Sequence, residues 1–404
     1  MEGHEVLALP ADRLKQSTIA RFVPAAAVCM VWLYLVTYSH GPLDAHVYAA
    51  AHNRSFAAAP LGTVWDELFS EYYPMTLAMV AGSLIAGSTP LGGGVVAFPV
   101  AVLVIGFQPD QGRDFTVLIQ SVGMNAAAYL ILMYKAHLAD FSLIVCFVIA
   151  GIPGILVGLS LKLAPFYVVL TFQILVLEFA VTFFYLNILA PRHSSSAAPS
   201  EMQITVRDEA REKPLNMLLA YGSMCAAAFV GGFLTANVGS GSDIMLYAYG
   251  LLGWNLLVPE SARFSDASLT ASSVVVMGAH SLVTSACRVL TRDISVEVIY
   301  CWGATAWLVC FGAPLGSLLI TPGLRAQLRI VFYLLAGAQF VGFAVLKIKG
   351  RTDAWAAFAA TTCALLLVLG AHFHHARSKI ERKGFRAQRL SLSTIRYRLI
   401  DVCA

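Results

Sequence analysis

The chain has 404 residues, of which 58% are hydrophobic and only 12% are charged, and its net charge is +4 at pH 7. Soluble domains carry about 25% charged residues, and a soluble enzyme does not explain repeated apolar runs of about 18 or more residues. The composition therefore predicts an all-α polytopic membrane protein and leaves little sequence for a soluble domain.

An N-terminal helix and an extracytoplasmic loop are predicted for residues 1–74. The apolar run from Ile19 to Tyr38 is long enough to cross a bilayer, so we expect a retained helix and not a cleaved signal peptide. Acidic residues outnumber basic ones in the loop that follows, so the loop is expected outside the cytoplasm and the N-terminus inside it. The loop contains the sequon Asn53-Arg54-Ser55, which makes Asn53 a glycosylation candidate.

A first transporter repeat is predicted for residues 75–190, and glycines interrupt its first apolar segment. The stretch TPLGGGVVAFPV, residues 89–100, contains three consecutive glycines, and each costs up to about 1 kcal/mol against alanine inside a helix. Pro90 also removes a backbone donor. The candidate anion-binding residues of this repeat are Ser88, Thr89, Gly92, Gly93, Gly94, Gln120, Ser121 and Asn125.

A polar linker is predicted for residues 191–214, and a second transporter repeat for residues 215–347. The segment VGGFLTANVGSGSDIMLYAYGLLGWNLLVPE echoes AGSLIAGSTPLGGGVVAFPVAVLVIGFQPDQ, because both are apolar runs broken by glycines about halfway. Interrupted hydrophobic segments in corresponding positions of an internal repeat indicate the binding site of a secondary transporter. The candidate anion-binding residues of the second break are Gly239, Ser240, Gly241 and Ser242.

Both breaks are expected to expose main-chain N–H groups within the membrane. Such backbone survives only inside protein or beside a wet cavity, and a half-helix that begins after a break attracts an anion through free N–H groups and its dipole. Close helix packing is the alternative, because membrane helices also use Gly and Ser where they touch. Interhelical hydrogen bonding is the corresponding alternative for Ser121 and Asn125, which share one helix face.

Three ionisable residues lie deep in the predicted apolar segments: Glu178, Asp243 and His280. Ionisable groups inside a membrane are functional hypotheses by default, so all three are proton-coupling candidates. Asp243 would repel an anion unless protonated, which favours a coupling role over substrate binding. Capping of the half-helix is the alternative for Asp243, and structural hydrogen bonding is the alternative for Glu178 and His280.

The topology depends on whether residues 75–107 and 215–253 are re-entrant hairpins or cross the membrane. Hairpins give three spans per repeat, an inverted pair of repeats and a cytoplasmic linker, whereas crossing segments give parallel repeats and an external linker. The linker contains four basic residues, and its acidic residues count for little in the positive-inside rule. The inverted arrangement is therefore favoured, although Leu215 to Ala236 is itself long enough to span.

A last transmembrane helix is predicted for residues 348–374, and a basic cytoplasmic tail for residues 375–404. The tail has eight Lys or Arg residues and two acidic ones, which favours the cytoplasm and contact with anionic membrane lipids. Its position directly after a membrane helix argues against nucleic acid as a partner. The sequence contains no P-loop, no HExxH motif and no recognisable nucleophile–base pair, so we expect neither an enzyme nor a cofactor or metal site.

Several stretches taken together resemble the sulfite exporter TauE/SafE family: the glycine break with its apolar half-helix, GFQPDQ at residues 106–111, the helix IQSVGMNAAA and a GAPLG element. The resemblance covers about residues 78–347 and includes both repeats. It implies a multi-pass membrane transporter that moves sulfite, organosulfonates or related small anions outward. An anion channel and a non-transporting scaffold or receptor are the alternatives.

Overall fold

The computed structural model describes residues 61–90, 92–161, 163–185, 214–254, 257–258, 263–291, 294–318, 322–345, 350–370 and 374. In chain order its helices are α1 (Leu61–Ser88), α2 (Gly94–Pro99), α3 (Pro109–Tyr134), α4 (Phe141–Ser160), α5 (Pro165–Phe184), α6 (Pro214–Val238), α7 (Ser242–Ala248), α8 (Asp266–Leu290), α9 (Val296–Leu318), α10 (Pro322–Phe343) and α11 (Thr352–Gly370). The predicted N-terminal helix, Asn53, nearly all of the linker and the basic tail lie outside the described residues.

Seven of the described helices are long and apolar enough to cross a membrane: α3, α4, α5, α6, α8, α9 and α11. No strand occurs in the described ranges. The prediction of an all-α polytopic membrane protein is therefore confirmed. Helices α2 and α7 are much shorter, and each continues into a π-helical turn, Val100–Ile105 and Tyr249–Trp254 respectively.

Ordinary helix-start signals set the beginnings of the long spans. The Asp140 carboxylate accepts a hydrogen bond from the Leu143 N–H (2.9 Å) before α4, and the Ser265 hydroxyl accepts one from the Ser268 N–H (3.1 Å) before α8. Each of these side chains satisfies one of the N–H groups that a helix start leaves without a partner. Pro109 opens α3, where its missing N–H costs nothing.

The described residues divide into two compact units, of which the first falls within residues 1–172 and 215–339 and the second within residues 173–214 and 340–404. In the second unit, Phe340 meets Trp355 and Phe358 edge to face, with ring centroids 6.3 and 5.2 Å apart. In the same unit, the Thr362 hydroxyl donates to Glu178 Oε1 (3.0 Å). The two broken segments both belong to the first unit.

The first broken segment is a hairpin, in which α2 returns along α1. A Cβ on Gly82 would lie 3.2 Å from Val96 Cβ, and the rings of Tyr72 and Phe107 are 6.3 Å apart. Residue numbers therefore fall on one arm as they rise on the other, and the chain comes back towards the level at which it entered.

The second broken segment has the same form, with α7 and its π-helical turn returning along α6. The hydroxyls of Ser223 and Tyr249 are 2.6 Å apart, and the rings of Tyr221 and Trp254 are 5.1 Å apart. Nearer the break, a Cβ on Gly231 would lie 3.0 Å from the Ser242 main chain. This segment also doubles back before α8 begins.

Helix α1 runs parallel to α9, and glycines bring the two backbones close together. A Cβ on Gly87 would lie 1.8 Å from the Ala313 carbonyl oxygen, and a Cβ on Gly312 would lie 1.9 Å from Ser83 Oγ. The contacting residues advance together along both helices, which makes the helices parallel. Small residues allow this approach, as is usual where membrane helices pack.

Helix α6 makes the matching contact with α4. A Cβ on Gly154 would lie 2.0 Å from the Phe229 carbonyl oxygen, and one on Gly158 would lie 2.9 Å from the Phe233 carbonyl oxygen. These helices are also parallel to each other. Helix α1 thus packs on α9, and helix α6 packs on α4.

Helices α3 and α8 occupy the centre of the first unit and run antiparallel. Arg288 at the end of α8 contacts Asp114 near the start of α3, and Asn125 further along α3 donates to the Gly278 carbonyl (2.8 Å). Helix α3 is parallel to α9, because Gln111 reaches Ser295 and Lys135 reaches the Ser317 carbonyl. Helix α8 is parallel to α4, because Asp140 contacts Ser272 and the Val148 carbonyl contacts His280. Helices α3 and α9 therefore run in one direction and helices α4 and α8 in the other.

Candidate functional site

The tips of the two hairpins meet inside the first unit. The first tip contains Gly92–Gly94, and the second tip contains Gly239–Asp243. Gly92, in the first tip, has a φ of +63°, and a Cβ there would lie 2.6 Å from Asp243 Oδ2 of the second tip. A Cβ on Gly94 would lie 3.1 Å from Ser240 Cβ and 2.4 Å from Gln120 Nε2. Glycine is needed at Gly92 both for its positive φ and for the close approach of the carboxyl group. The sequence breaks that are 147 residues apart therefore form one structure.

Helix α3 supports the second tip. Gly239 has a φ of +90°, and a Cβ there would lie 2.9 Å from the Arg113 carbonyl oxygen and 3.0 Å from Thr116 Cβ. Gln120, one turn further along α3, donates from Nε2 to the Gly239 carbonyl (3.4 Å). Gln120 thus contacts both tips, and it is the predicted side chain that the structure places most centrally.

Two buried acceptor oxygens face the gap beside Gly92. Asp243 Oδ1 accepts from the Ile244 N–H (2.9 Å) and Ser240 Oγ (3.5 Å), but Oδ2 has no hydrogen-bond partner among the described residues. Gln120 Oε1 has none either, and it would lie 3.2 Å from a Cβ on Gly92. Buried polar atoms without partners are uncommon, because each loses its hydration without replacement. The pair can share a proton or accept from a bound donor.

The orientation of the Gln120 amide is set by its neighbours. Turning the amide over would direct Nε2 towards Asp243, but it would also set Oε1 against the Gly239 carbonyl oxygen, which is itself an acceptor. The orientation in which Nε2 donates to the Gly239 carbonyl avoids placing two acceptor oxygens against each other. It leaves Oε1 directed to the same space as Asp243 Oδ2.

Ser242 and His280 form a hydrogen-bonded chain that holds the start of α7. The Ser242 N–H donates to Thr235 Oγ1 (3.1 Å), and the Ser242 hydroxyl lies 2.7 Å from His280 Nδ1. His280 Nε2 lies 3.1 Å from the Val148 carbonyl oxygen. A neutral imidazole with its proton on Nε2 satisfies every contact in this chain. His280 therefore joins α4, α7 and α8 at a fully buried point.

Four other predicted side chains have their protons engaged elsewhere. The Ser88 and Thr89 hydroxyls donate to the α1 carbonyls of Leu84 (2.6 Å) and Ile85 (2.8 Å). The Ser121 hydroxyl donates to Leu118 (2.8 Å), and both protons of the Asn125 amide point to carbonyls, those of Ser121 (2.7 Å) and Gly278 (2.8 Å). Their positions favour helix termination and interhelical bonding, the alternative that the sequence left open for Ser121 and Asn125.

Glu178 is the one ionisable candidate of the three that lies outside the first unit. It belongs to the second unit, where Thr362 donates to its Oε1, while its Oε2 has no hydrogen-bond partner in the described ranges. Within those ranges, no group of three His, Cys, Asp or Glu side chains is placed to hold a metal ion.

A cavity of about 10 Å³ lies beside the first tip, with Met79, Gly93, Gln120 and Ala313 among its lining residues. A cavity needs about 10–15 Å³ of this kind of volume to hold one water molecule. Sulfite has four heavy atoms and does not fit.

A buried charge cluster beside the second tip is absent from the sequence-based site. Arg113 Nε donates to Asp114 Oδ1 (3.0 Å), and Arg288 Nη2 donates to Asp114 Oδ2 (2.7 Å). The three side chains are only 5–6% exposed. The pair Arg113–Asp114 follows GFQPDQ after one residue, Gly112, and a charged pair near the start of a span is the only sequence signal for this cluster. Its partner on α8 is 174 residues away and could not be identified from spacing.

The fold and the site define a class: a polytopic helical membrane protein in which two broken segments bring glycine-rich tips together among long spans. The chain belongs to the sulfite exporter TauE/SafE family, whose model matches residues 75–343. This family consists of membrane transporters of sulfite or related anions, not of enzymes. Comparison with curated proteins and with solved structures finds no significant match to the chain.

Proposed function

We propose that the protein is a secondary transporter that exports sulfite or a small organosulfonate, with the anion held where the two hairpin tips meet. The observation that carries the proposal is the contact of Gly92 with Asp243 and Gln120. Membership of the sulfite exporter family supplies the class of substrate.

The main chain of the tips is the main anion ligand in this proposal. The N–H groups from Gly92 to Gly94, at the start of α2, are the proposed main-chain donors of the first tip. At the start of α7 the Ser242 and Ile244 N–H groups are engaged by Thr235 and Asp243 in the structure, so this proposal requires their release when the anion binds between the two tips. Gln120 adds an amide donor between them. Sulfite and sulfonates present three oxygen acceptors on one sulfur, which suits donors that converge from two sides.

Asp243 is the proposed coupling residue. An ionised carboxylate beside the anion would repel it in a medium of low dielectric, whereas a protonated carboxyl can donate to Gln120 Oε1 or to the anion itself. Anion binding and protonation therefore favour each other, and by linkage the effect is reciprocal. His280 is assigned a positioning role, because its hydrogen bonds are complete in the neutral form.

The transporter repeats are proposed to be residues 75–190 and 215–347 in an inverted arrangement. The opposite directions of α3 and α8, and of α1 and α6, support this inference. With hairpins at the start of each repeat, the linker 191–214 and the tail 375–404 both lie in the cytoplasm. The start of α3 and the end of α8 then lie towards the opposite side.

A carrier is favoured over a channel, because the cavity at the first tip is too small for the anion. A channel needs a continuous path, whereas a carrier alternates between closed and open forms. Reconstituted protein should therefore give saturable exchange of sulfite and ethanesulfonate without single-channel conductance. Conductance steps would support the channel, and absence of flux and exchange for both anions would contradict transport.

The residue-level test compares neighbours on α3. Gln120→Met removes the donor between the tips, and we expect the half-saturating concentration of ethanesulfonate to rise about tenfold or more, as for a lost hydrogen bond to a charged group. Ser121→Ala is the matched control, because that hydroxyl donates to its own helix. Equal effects of the two changes would contradict a site at the tips.

A further inference from the structure

The cluster of Arg113, Asp114 and Arg288 carries one more positive charge than negative charge. Both carboxylate oxygens of Asp114 are engaged: Oδ1 lies 3.0 Å from Arg113 Nε and 2.6 Å from Arg288 Nε, and Oδ2 lies 2.7 Å from Arg288 Nη2. Guanidinium groups stay charged in proteins. One carboxylate therefore cannot neutralise the cluster.

The remaining guanidinium donors of the cluster are unused. Within the described residues, no hydrogen bond engages the two Nη groups of Arg113 or Nη1 of Arg288. The buried Arg288 Nε has no hydrogen-bond partner there either, although it lies 2.6 Å from Asp114 Oδ1. A buried donor without a partner is costly, because its hydration is lost without replacement. A residual positive charge with free fork-shaped donors is the arrangement that binds an oxyanion with two parallel hydrogen bonds.

The cluster also adjoins the second hairpin tip. A Cβ on Gly239 would lie 2.9 Å from the Arg113 carbonyl oxygen, so the turn of α3 that carries the cluster touches the tip. The cluster lies at the start of α3 and the end of α8, the end of the first unit that the proposed topology directs away from the cytoplasm.

We infer that Arg113 and Arg288 form a second binding site for a small oxyanion, on the exit side of the hairpin tips. This inference rests on the proposed transport function, and it adds binding residues on α3 and α8 to those of the tips. Asp114 holds the two guanidinium groups and limits the affinity for the anion, so that an exported sulfite or sulfonate is received and then released.

The test changes the net charge of the cluster by substitution and measures anion binding to the purified full-length protein at low ionic strength. Binding of sulfite and ethanesulfonate is measured by calorimetry and by the anion-induced rise in Tm, in the wild type and in the Gln120→Met background. Asp114→Asn raises the cluster charge to +2 and should tighten binding about threefold to tenfold, whereas Arg288→Gln neutralises the cluster and should weaken binding about tenfold or more. Misfolding would not make a protein bind an anion more tightly. Tighter binding by Asp114→Asn together with weaker binding by Arg288→Gln therefore separates an effect on the site from an effect on folding.

Arg351→Gln is the matched control, because Arg351 and Asp353 form the same kind of ion pair at an exposed position. It should leave the affinities unchanged. Unchanged binding in both cluster variants, or equal weakening in both, overturns the second site while leaving transport at the tips intact. Absence of anion binding to the wild type overturns the second site together with the proposed function.

Discussion

Gly94→Ala is the most discriminating single change at the hairpin tips. The added methyl carbon would lie 2.4 Å from Gln120 Nε2, 2.8 Å from Thr116 Cγ2 and 3.1 Å from Ser240 Cβ. Gln120 would have to leave its position and lose its bond to Gly239. Overpacking costs about 1–3 kcal/mol and a lost hydrogen bond about 1 kcal/mol, offset by up to about 1 kcal/mol of helix propensity. We expect a net loss of about 2 kcal/mol.

Gly93→Ala is the control at the next position. Its Cβ would lie 3.5 Å from Ala86 Cβ and from Met79 Cε, which is ordinary contact, and the backbone φ of −75° suits alanine. Denaturant unfolding and ethanesulfonate exchange in proteoliposomes, at equal reconstituted protein, measure both variants. Gly94→Ala should lower stability and raise the half-saturating concentration about tenfold, while Gly93→Ala should change neither appreciably. Equal behaviour of the two variants would refute the close contact between the tips.

Four further predictions address coupling, packing and topology. Asp243→Asn should flatten the pH dependence of ethanesulfonate flux, which in the wild type rises as pH falls because a protonated carboxyl no longer repels the sulfonate; an unchanged slope would exclude Asp243 as the coupling group. Asn125→Ala should lower the free energy of unfolding by about 1–2 kcal/mol through its lost bond to Gly278, with substrate affinity kept within about twofold. A cysteine at Ser195 should react with an impermeant reagent only after permeabilisation, and labelling of intact cells would contradict a cytoplasmic linker. Deletion after His375 should leave flux in liposomes nearly unchanged, and loss of flux in a folded protein would assign the tail to the transport pathway.

The sequence predicted the helical membrane fold and the family, because apolar run length and the order of several weak motifs carry that information. The sequence also predicted that the two glycine breaks form two halves of one anion site, because they lie at matching places in the chain. The structure brings the two breaks together, and the anion site itself stays a prediction. Whether the segments cross or return was undetermined, because Leu215 to Ala236 is long enough for either. The contacts of Tyr72 with Phe107 and of Ser223 with Tyr249 show that both segments double back, and their placement relative to the membrane stays a prediction.

Side-chain roles were harder to predict. Ser121 and Asn125 share a helix face, but spacing does not reveal that their protons point to carbonyls of α3 and α8. The Arg113–Asp114–Arg288 cluster depends on an antiparallel pairing of helices that no local pattern encodes. Gln120 was among the candidates, yet its central place became apparent only from the two tips that it touches.

The packing of α1 on α9, a helix far away in the sequence, has a consequence for the synthesis of the protein. Gly87 of α1 packs on Ala313 of α9, more than 200 residues later in the chain. At about 5–20 residues per second, the ribosome needs on the order of 10–45 s to make that partner. During this time the first hairpin stays in the bilayer without its glycine-lined partner surface, exposed to insertion factors, lipids and membrane proteases. Stalling translation between the halves should therefore yield an N-terminal fragment that quality-control proteases remove, even though its own apolar segments are inserted.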